Sequence, residues 1–92
     1  IERAVKAEPN NAAFLDSLGW VLFKLGQPRE ALEYLLKAIA QDDKPDATLY
    51  DHLGDAYAAL NEMTKAREAW ARSLTIEPSP AVKKKLEAAP TP

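Results

Sequence analysis

The chain has 92 residues, enough for one small domain. Its formal net charge of −2 gives it no overall electrostatic attraction for nucleic acid or an anionic membrane surface. It contains no cysteine, which excludes disulfides and thiolate chemistry, and no apolar run approaches the ~20 residues of a membrane-spanning helix.

The first nine residues read as the end of a helical unit. Ile1, Ala4 and Val5 share one helical face, and Pro9 ends the pattern. This segment is predicted to be the second helix of a unit whose first helix is missing. Because the chain starts inside this pattern and not at a methionine, we expect it to be a fragment of a longer protein.

A pair of antiparallel helices is predicted over residues 11–43, the first running from about 12 to 25. Gly19 in its middle costs roughly 1 kcal/mol against alanine, and the close approach of a neighbouring helix would explain it. Gly26 is predicted to end the first helix and Pro28 to begin the second. The predicted inward positions are Leu15, Leu18, Leu22, Leu25, Ala31, Leu32, Leu35, Leu36, Ala38 and Ile39.

A second pair is predicted over residues 46–78, with helices at about 46–60 and 65–77. Pro45 or Asp46 opens it, Gly54 and Asn61 take the places of the two glycines of the first pair, and Thr64 is the expected cap of its second helix. The predicted inward positions are Leu49, Tyr50, Leu53, Ala56, Tyr57, Leu60, Ala66, Ala69, Trp70, Ser73, Leu74 and Ile76.

A short helix closes the chain over residues 79–89, with Ser79 as its cap and Pro80 in its first turn. Lys83, Lys84 and Lys85 could contact nucleic acid or lipid. Because no aromatic residues alternate with them, the favoured interpretation is a solvated helix face.

The two pairs repeat at a spacing of 35 residues, as Leu18 and Leu53 or Gly19 and Gly54 show. A period of about 34 residues with two helices per unit is typical of a helical solenoid. The frame resembles the tetratricopeptide repeat at two sets of positions: Leu15, Leu18, Gly19, Leu22, Gly26, Ala31, Leu35 and Ala38, then Tyr50, Leu53, Gly54, Tyr57, Ala66, Trp70, Ser73 and Pro78. The sequence departs from the family pattern at Leu22, at Asn61 and by one inserted residue near Asp43.

The resemblance implies an all-α, right-handed superhelical solenoid of antiparallel helix pairs, forming a single domain over 1–92 and ending in a solvating helix. It implies a protein–protein interaction scaffold that binds a peptide or helix in a concave groove, without catalysis or cofactor. The alternative is a structural or self-associating segment, which docks through its N-terminal edge on neighbouring repeats or on a second copy. Localisation stays open between cytoplasm and periplasm.

The resemblance also implies which positions of the first helices line the groove. These are Ala13, Asp16, Ser17, Trp20, Phe23, Lys24, Thr48, Asp51, His52, Asp55, Ala58 and Ala59. Family members that grip acidic tails carry Lys and Asn where this chain has Asp16 and Trp20, which disfavours an acidic ligand. We expect instead a partner with an apolar anchor for Trp20 and Phe23 and with Lys or Arg for the carboxylates.

Several groove residues have competing interpretations. Trp20 is either a ligand anchor or a packing residue between successive first helices, whereas Trp70 occupies the buried aromatic position of the family. Asp51 and Asp55 could bind a cation, but a solvated face is favoured because Ca²⁺ needs six or more oxygens. His52 is the only histidine, so a metal site is disfavoured.

Two further functions are disfavoured. A triad of Asp16, Ser17 and His52 fails because the first two point about 100° apart on one helix and cannot both serve one imidazole. RNA binding like that of pentatricopeptide repeats fits the 35-residue period, and residues 44–50 resemble the start of such a repeat. The acidic inner face and the net negative charge oppose it.

Overall fold

The computed structural model describes residues 11–89, which form five helices and no strand. They are α1 (Ala12–Lys24), α2 (Pro28–Gln41), α3 (Ala47–Ala59), α4 (Met63–Ile76) and α5 (Pro80–Ala88). None of these helices has the length and apolar character needed to cross a membrane. The helix predicted over residues 1–9 lies outside the described residues.

Three helices begin at a side-chain cap. The side chain of Asn11 accepts a hydrogen bond from the Phe14 N–H at 2.9 Å, and that of Asp46 accepts one from the Leu49 N–H at 2.8 Å. Ser79 caps α5 in the same way. Each cap satisfies one of the backbone donors that a helix start leaves unpaired.

The prediction of Thr64 as the cap of α4 is wrong. The helix begins at Met63, and its N-cap, Glu62, makes no side-chain cap hydrogen bond. Asn61 has a φ of 64°, which is the left-handed conformation of a helix end, so the turn between α3 and α4 lies at this residue. The next helix can therefore start at once, and the Ala66 N–H donates to the Glu62 carbonyl at 3.0 Å.

A residue in the left-handed backbone conformation follows the first helix of each pair. Gly26 has a φ of 79°, and the N–H of Gln27 after it donates to the Leu22 carbonyl at 2.9 Å. Asn61 ends α3 in the same conformation, as predicted. These turns satisfy carbonyls at the helix end and leave connections so short that each pair of helices must lie antiparallel.

The helices form one continuous stack. α1 packs on α2 and α3 on α4, while α2 contacts α3 and α4 contacts α5. The larger apolar cluster joins the two pairs and contains Leu15, Leu35, Ala38, Leu49, Leu53, Ala56 and Ala69. A smaller cluster of Ala66, Trp70 and Val82 attaches α5 to the second pair. The arrangement is an all-α solenoid of helix pairs.

Three large apolar residues predicted to face inward are exposed instead. Leu25 is 66% exposed because it is the C-cap residue of α1, beyond its last turn. Leu36 follows the buried Leu35 and lies about 100° further round the helix, so it faces away from the pair. Ile76 is the last residue of α4 and is 46% exposed.

The mid-helix glycines mark the points of closest helix approach, as predicted. A Cβ on Gly19 would lie 2.9 Å from Leu35 Cγ and 3.2 Å from the carbonyl oxygen of Ala31. A Cβ on Gly54 would overlap the Trp70 indole ring itself. Within each pair, the second helix can seat its large side chain only because the first helix has none at that point.

We predict that Gly54→Ala lowers the free energy of unfolding by about 1–2 kcal/mol. The overlap with a buried, rigid indole should outweigh the roughly 1 kcal/mol gained in helix propensity. Gly19→Ala is the matched control and should change stability less, because the Leu35 side chain can shift. Urea unfolding followed by circular dichroism measures both values; a Gly54→Ala variant as stable as the wild type would contradict the prediction.

Candidate functional site

Helical spacing places the predicted groove residues along one side of α1 and one side of α3, which together we call the inner face, and none of them is fully buried. Ala58 is the one that also packs against the cluster of Trp70 and Val82. The half-buried members are Asp16, Trp20, Phe23, Asp51, His52, Asp55 and Ala58. The exposed ones are Ala13, Ser17, Lys24, Thr48 and Ala59.

Three rings stack across the inner face. The Trp20 and His52 rings lie 3.9 Å apart between centroids at an interplanar angle of 14°. Phe23 stacks on Trp20 at 5.2 Å, and the Lys24 ammonium lies 4.8 Å from the Trp20 ring. Trp20 therefore packs between the two first helices, although it stays only half-buried.

A hydrogen bond joins the two first helices beside this stack. His52 Nδ1 lies 2.9 Å from Asp16 Oδ1, and both side chains are shielded, with 16% and 23% of their surfaces exposed. The bond fixes the orientation of the imidazole against Trp20. The hydrogen bond joins His52 to Asp16 and does not involve Ser17, the next residue along α1. Within residues 11–89, no three Asp, Glu, His or Cys side chains come close enough to hold a metal ion.

The carboxylates of Asp51 and Asp55 bind an ammonium group of the chain itself. Lys85 Nζ, from α5, lies 2.8 Å from Asp51 Oδ1 and 3.1 Å from the Asp55 carboxylate. The two acids are 24% and 13% exposed. Their interpretation as a solvated face is therefore wrong, and so is that of Lys85. Lys83 and Lys84 are exposed, as predicted.

The pKa values of this cluster reflect burial and pairing together. Burial raises the pKa of Asp55 above its ordinary value and Asp51 adds to the effect, against the opposing influence of Lys85. Partial burial works to lower the pKa of Lys85, but the hydrogen bonds and charges of the two aspartates outweigh it, so the pKa rises. Burial therefore decides the direction of the pKa shift of Asp55, whereas pairing decides that of Lys85.

Other contacts hold α5 in place. The Arg67 guanidinium donates to the carbonyl oxygens of Leu86 and Ala89 at 2.9 and 3.1 Å, which satisfies acceptors at the end of α5. Val82 is 3% exposed beside Trp70. The Trp70 N–H is buried without a partner of hydrogen-bonding geometry in the described residues, although it helps to lower the pKa of Asp55.

The role of Lys85 could have been found by extending the repeat frame. Asp16 and Asp51 are separated by one repeat length, and Lys85 comes 34 residues after Asp51. Counted from the N-caps Asp46 and Ser79, however, Lys85 stands six residues into its helix, so it occupies on α5 the position of His52 on α3. The lysine run hid this relation, because such runs usually face solvent.

Helix pairs that repeat with one period and align their first helices define a helical-repeat protein. A sequence model of the tetratricopeptide repeat matches residues 1–44 and 17–81. These matches together cover most of the chain, so it belongs to the tetratricopeptide repeat family. Domains of this family are typically non-enzymatic protein–protein interaction scaffolds, and they generally bind protein partners.

Solved structures show the same fold. One that matches is the N-terminal domain of stress-induced protein-1 (STI-1) from C. elegans, with a TM-score of 0.81 and 23% sequence identity. The match covers 94% of this chain and 72% of that one. At this identity it establishes the fold alone. Comparison with curated proteins found no match.

We predict that Lys85→Met lowers the free energy of unfolding by about 1 kcal/mol at neutral pH, since it leaves a partly buried carboxylate pair without its counter-charge. Lys84→Met, an exposed neighbour, should have little effect. Urea unfolding of both variants measures the difference, and hydrogen exchange of α5 should accelerate only in Lys85→Met. Equal stability of the two variants would contradict the role of Lys85.

The loss caused by Lys85→Met should depend on pH in a defined way. The raised pKa of Lys85 means that its contribution is complete below the ordinary lysine value of 10.5 and disappears as pH rises beyond it. Because the pKa of Asp55 is raised above 3.8, the loss should also shrink on acidification before pH 3.8 is reached. A pH-independent difference between wild type and variant would contradict this account.

Proposed function

We propose that the inner face of α1 and α3 binds a peptide or a helix from a protein partner. The observation that supports this most is the row of Phe23, Trp20 and His52, whose stacked rings remain partly exposed on that face. Aromatic side chains that are held rigidly and flanked by polar groups are common anchors of binding energy. Family membership supports a protein partner over other ligands.

The ring stack supplies the apolar part of the proposed site. His52 is fixed by Asp16 and packs on Trp20, so little side-chain freedom remains to be lost on binding. An apolar side chain of the partner would contact the exposed parts of Trp20 and Phe23. Trp20 then serves both as packing between the first helices and as a ligand anchor.

The carboxylate pair supplies the charged part of the proposed site. Asp51 and Asp55 hold the Lys85 ammonium at distances that a lysine or arginine of a partner could reproduce. Such a partner must displace Lys85, which belongs to a helix of only nine residues. The partner's basic group and Lys85 are therefore competitors for the same two acids.

A second candidate function is docking on another repeat or on a second copy of the chain. Val21 and Leu25 on α1 are 51% and 66% exposed, and Val21 lines an apolar cavity of about 180 Å³ with Phe14, Ser17 and Leu18. This surface, the α1 edge, lies on a different side of α1 from Trp20. Exposed apolar surface of this kind supports association.

We predict that Trp20→Ala with Phe23→Ala abolishes capture of the partner from lysate by the immobilised 92-residue chain. The matched control is Val21→Ala with Leu25→Ala, which removes two apolar side chains from the α1 edge of the same helix. Circular dichroism should show unchanged helicity for both. The control should retain every specifically captured protein.

The opposite pattern would contradict groove binding. If the inner-face variant captures the same proteins as the wild type and the α1-edge variant loses them, the second candidate is correct. In that case sedimentation should show a mass that rises with concentration for the wild type and not for the α1-edge variant.

Once a partner is identified, Lys85→Met should strengthen its binding roughly two- to fivefold, the value of a partly exposed ion pair. The reason is that the partner's basic group no longer competes with an internal lysine. Isothermal titration measures the change, with Lys84→Met as the control. Unchanged or weaker binding by Lys85→Met would show that the partner does not use the carboxylate pair.

A further inference from the structure

A second concave surface lies between α3 and α4, outside the inner face. We call it the tyrosine cleft. Its volume is about 330 Å³, and it is lined by Tyr50, Leu53, Tyr57, Lys65, Glu68, Ala69 and Arg72. Leu53 and Ala69 form a buried floor, since they are 6% and 5% exposed. The volume is at the lower end of the range for ligand pockets.

The tyrosine cleft and the inner face use different sides of α3. Successive residues of a helix are 100° apart. Tyr50, Leu53 and Tyr57 therefore point about 100–160° away from Asp51 and Asp55. A ligand in the tyrosine cleft would not contact the carboxylate pair, so the two surfaces can be occupied independently.

Two cations stand at the rim of the tyrosine cleft. Arg72 lies over the Tyr50 ring at 5.8 Å, and Lys65 lies over the Tyr57 ring at 5.8 Å. Glu68 is three residues from Lys65 and four from Arg72, at spacings where ion pairs form on helices. Among residues 11–89, however, neither cation makes a salt bridge.

The contacts of Arg72 and Lys65 with the tyrosine rings affect which ligands the cleft can bind. A cation over an aromatic face stays close to the apolar surface and keeps its charge available. Arg72 and Lys65 outnumber the single carboxylate of the lining, Glu68, so the rim is locally positive in a chain whose net charge is −2. The guanidinium of Arg72 can also donate hydrogen bonds to both oxygens of one carboxylate. The rim is thus complementary to an acidic group next to an apolar one.

We propose that the tyrosine cleft is a second protein-binding site, for a peptide segment that carries an apolar side chain beside a carboxylate. The apolar side chain lies on Leu53 and Ala69 between the two tyrosine rings. The carboxylate binds Arg72 or Lys65. The inner face, with its carboxylate pair, selects for basic groups, so the two sides of α3 bind partners of opposite charge.

The test is an NMR titration of the isotope-labelled 92-residue chain with acetyl-Glu-Leu-Phe-Glu-amide. Amide shifts should concentrate in residues 50–72. Lys65→Gln with Arg72→Gln should raise the dissociation constant about fivefold or more. The matched control, Lys83→Gln with Lys84→Gln, removes the same charge from exposed positions of α5 and should bind as the wild type does.

A peptide with lysines in place of the two glutamates should bind more weakly than the acidic peptide. The proposal is overturned if both double variants bind equally well, if the lysine peptide binds as tightly, or if no shift appears at peptide concentrations up to about 10 mM. Shifts confined to Trp20 and His52 would also overturn it. That result would leave the proposal for the inner face standing, so the two can fail separately.

Discussion

The close approach of the two helices within each pair is the constraint on which the rest of the structure depends. Gly54 lies against the Trp70 indole, and Gly19 lies against Leu35, at separations that a methyl group would obstruct. A glycine in the middle of a helix costs about 1 kcal/mol, but here it allows one large, buried side chain to fill the space between helices. Packing of this density fixes the orientation of each pair, and the orientation of each pair fixes where its first helix directs its polar residues.

The alignment of the first helices turns a sequence period into a series of contacts. Asp16 on α1 bonds to His52 on α3, and Asp51 on α3 bonds to Lys85 on α5. In both cases an acid on one first helix meets a donor on the next. Each contact would be weak in water; hydrogen bonding in a less polar surrounding strengthens it, against the cost of removing the charged groups from water. These contacts therefore link neighbouring helix pairs along the inner face.

The repetitive features of the fold could be predicted because they depend on local rules. Glycine spacing predicted the close approaches, and Gly26 and Asn61 were identified as left-handed helix ends from residue type. Periodicity overestimated burial at Leu25 and Leu36, since it does not register where a helix ends or which side its partner covers. The inner-face residues were placed on one surface, but the link from Lys85 depends on how α5 docks, and a lysine run carries no signal of docking. The cations over Tyr50 and Tyr57 were missed for a similar reason: helical spacing pairs them with Glu68, whereas the tertiary structure directs them to rings of α3.

The position of α3 accounts for the two binding surfaces that we propose. A helix in the middle of a long solenoid contacts neighbours on both sides, but it still leaves two sides to solvent, because first and second helices occupy separate layers. In α3, Ala56 lies between these two sides and is buried, and one side carries acids while the other carries tyrosines. Within residues 11–89, α1 and α3 are the first helices of the two pairs, so the binding surface that we propose on them is two helices wide. Since hot spots and not area set affinity, we propose two compact sites with rigid aromatic groups in place of one extended groove.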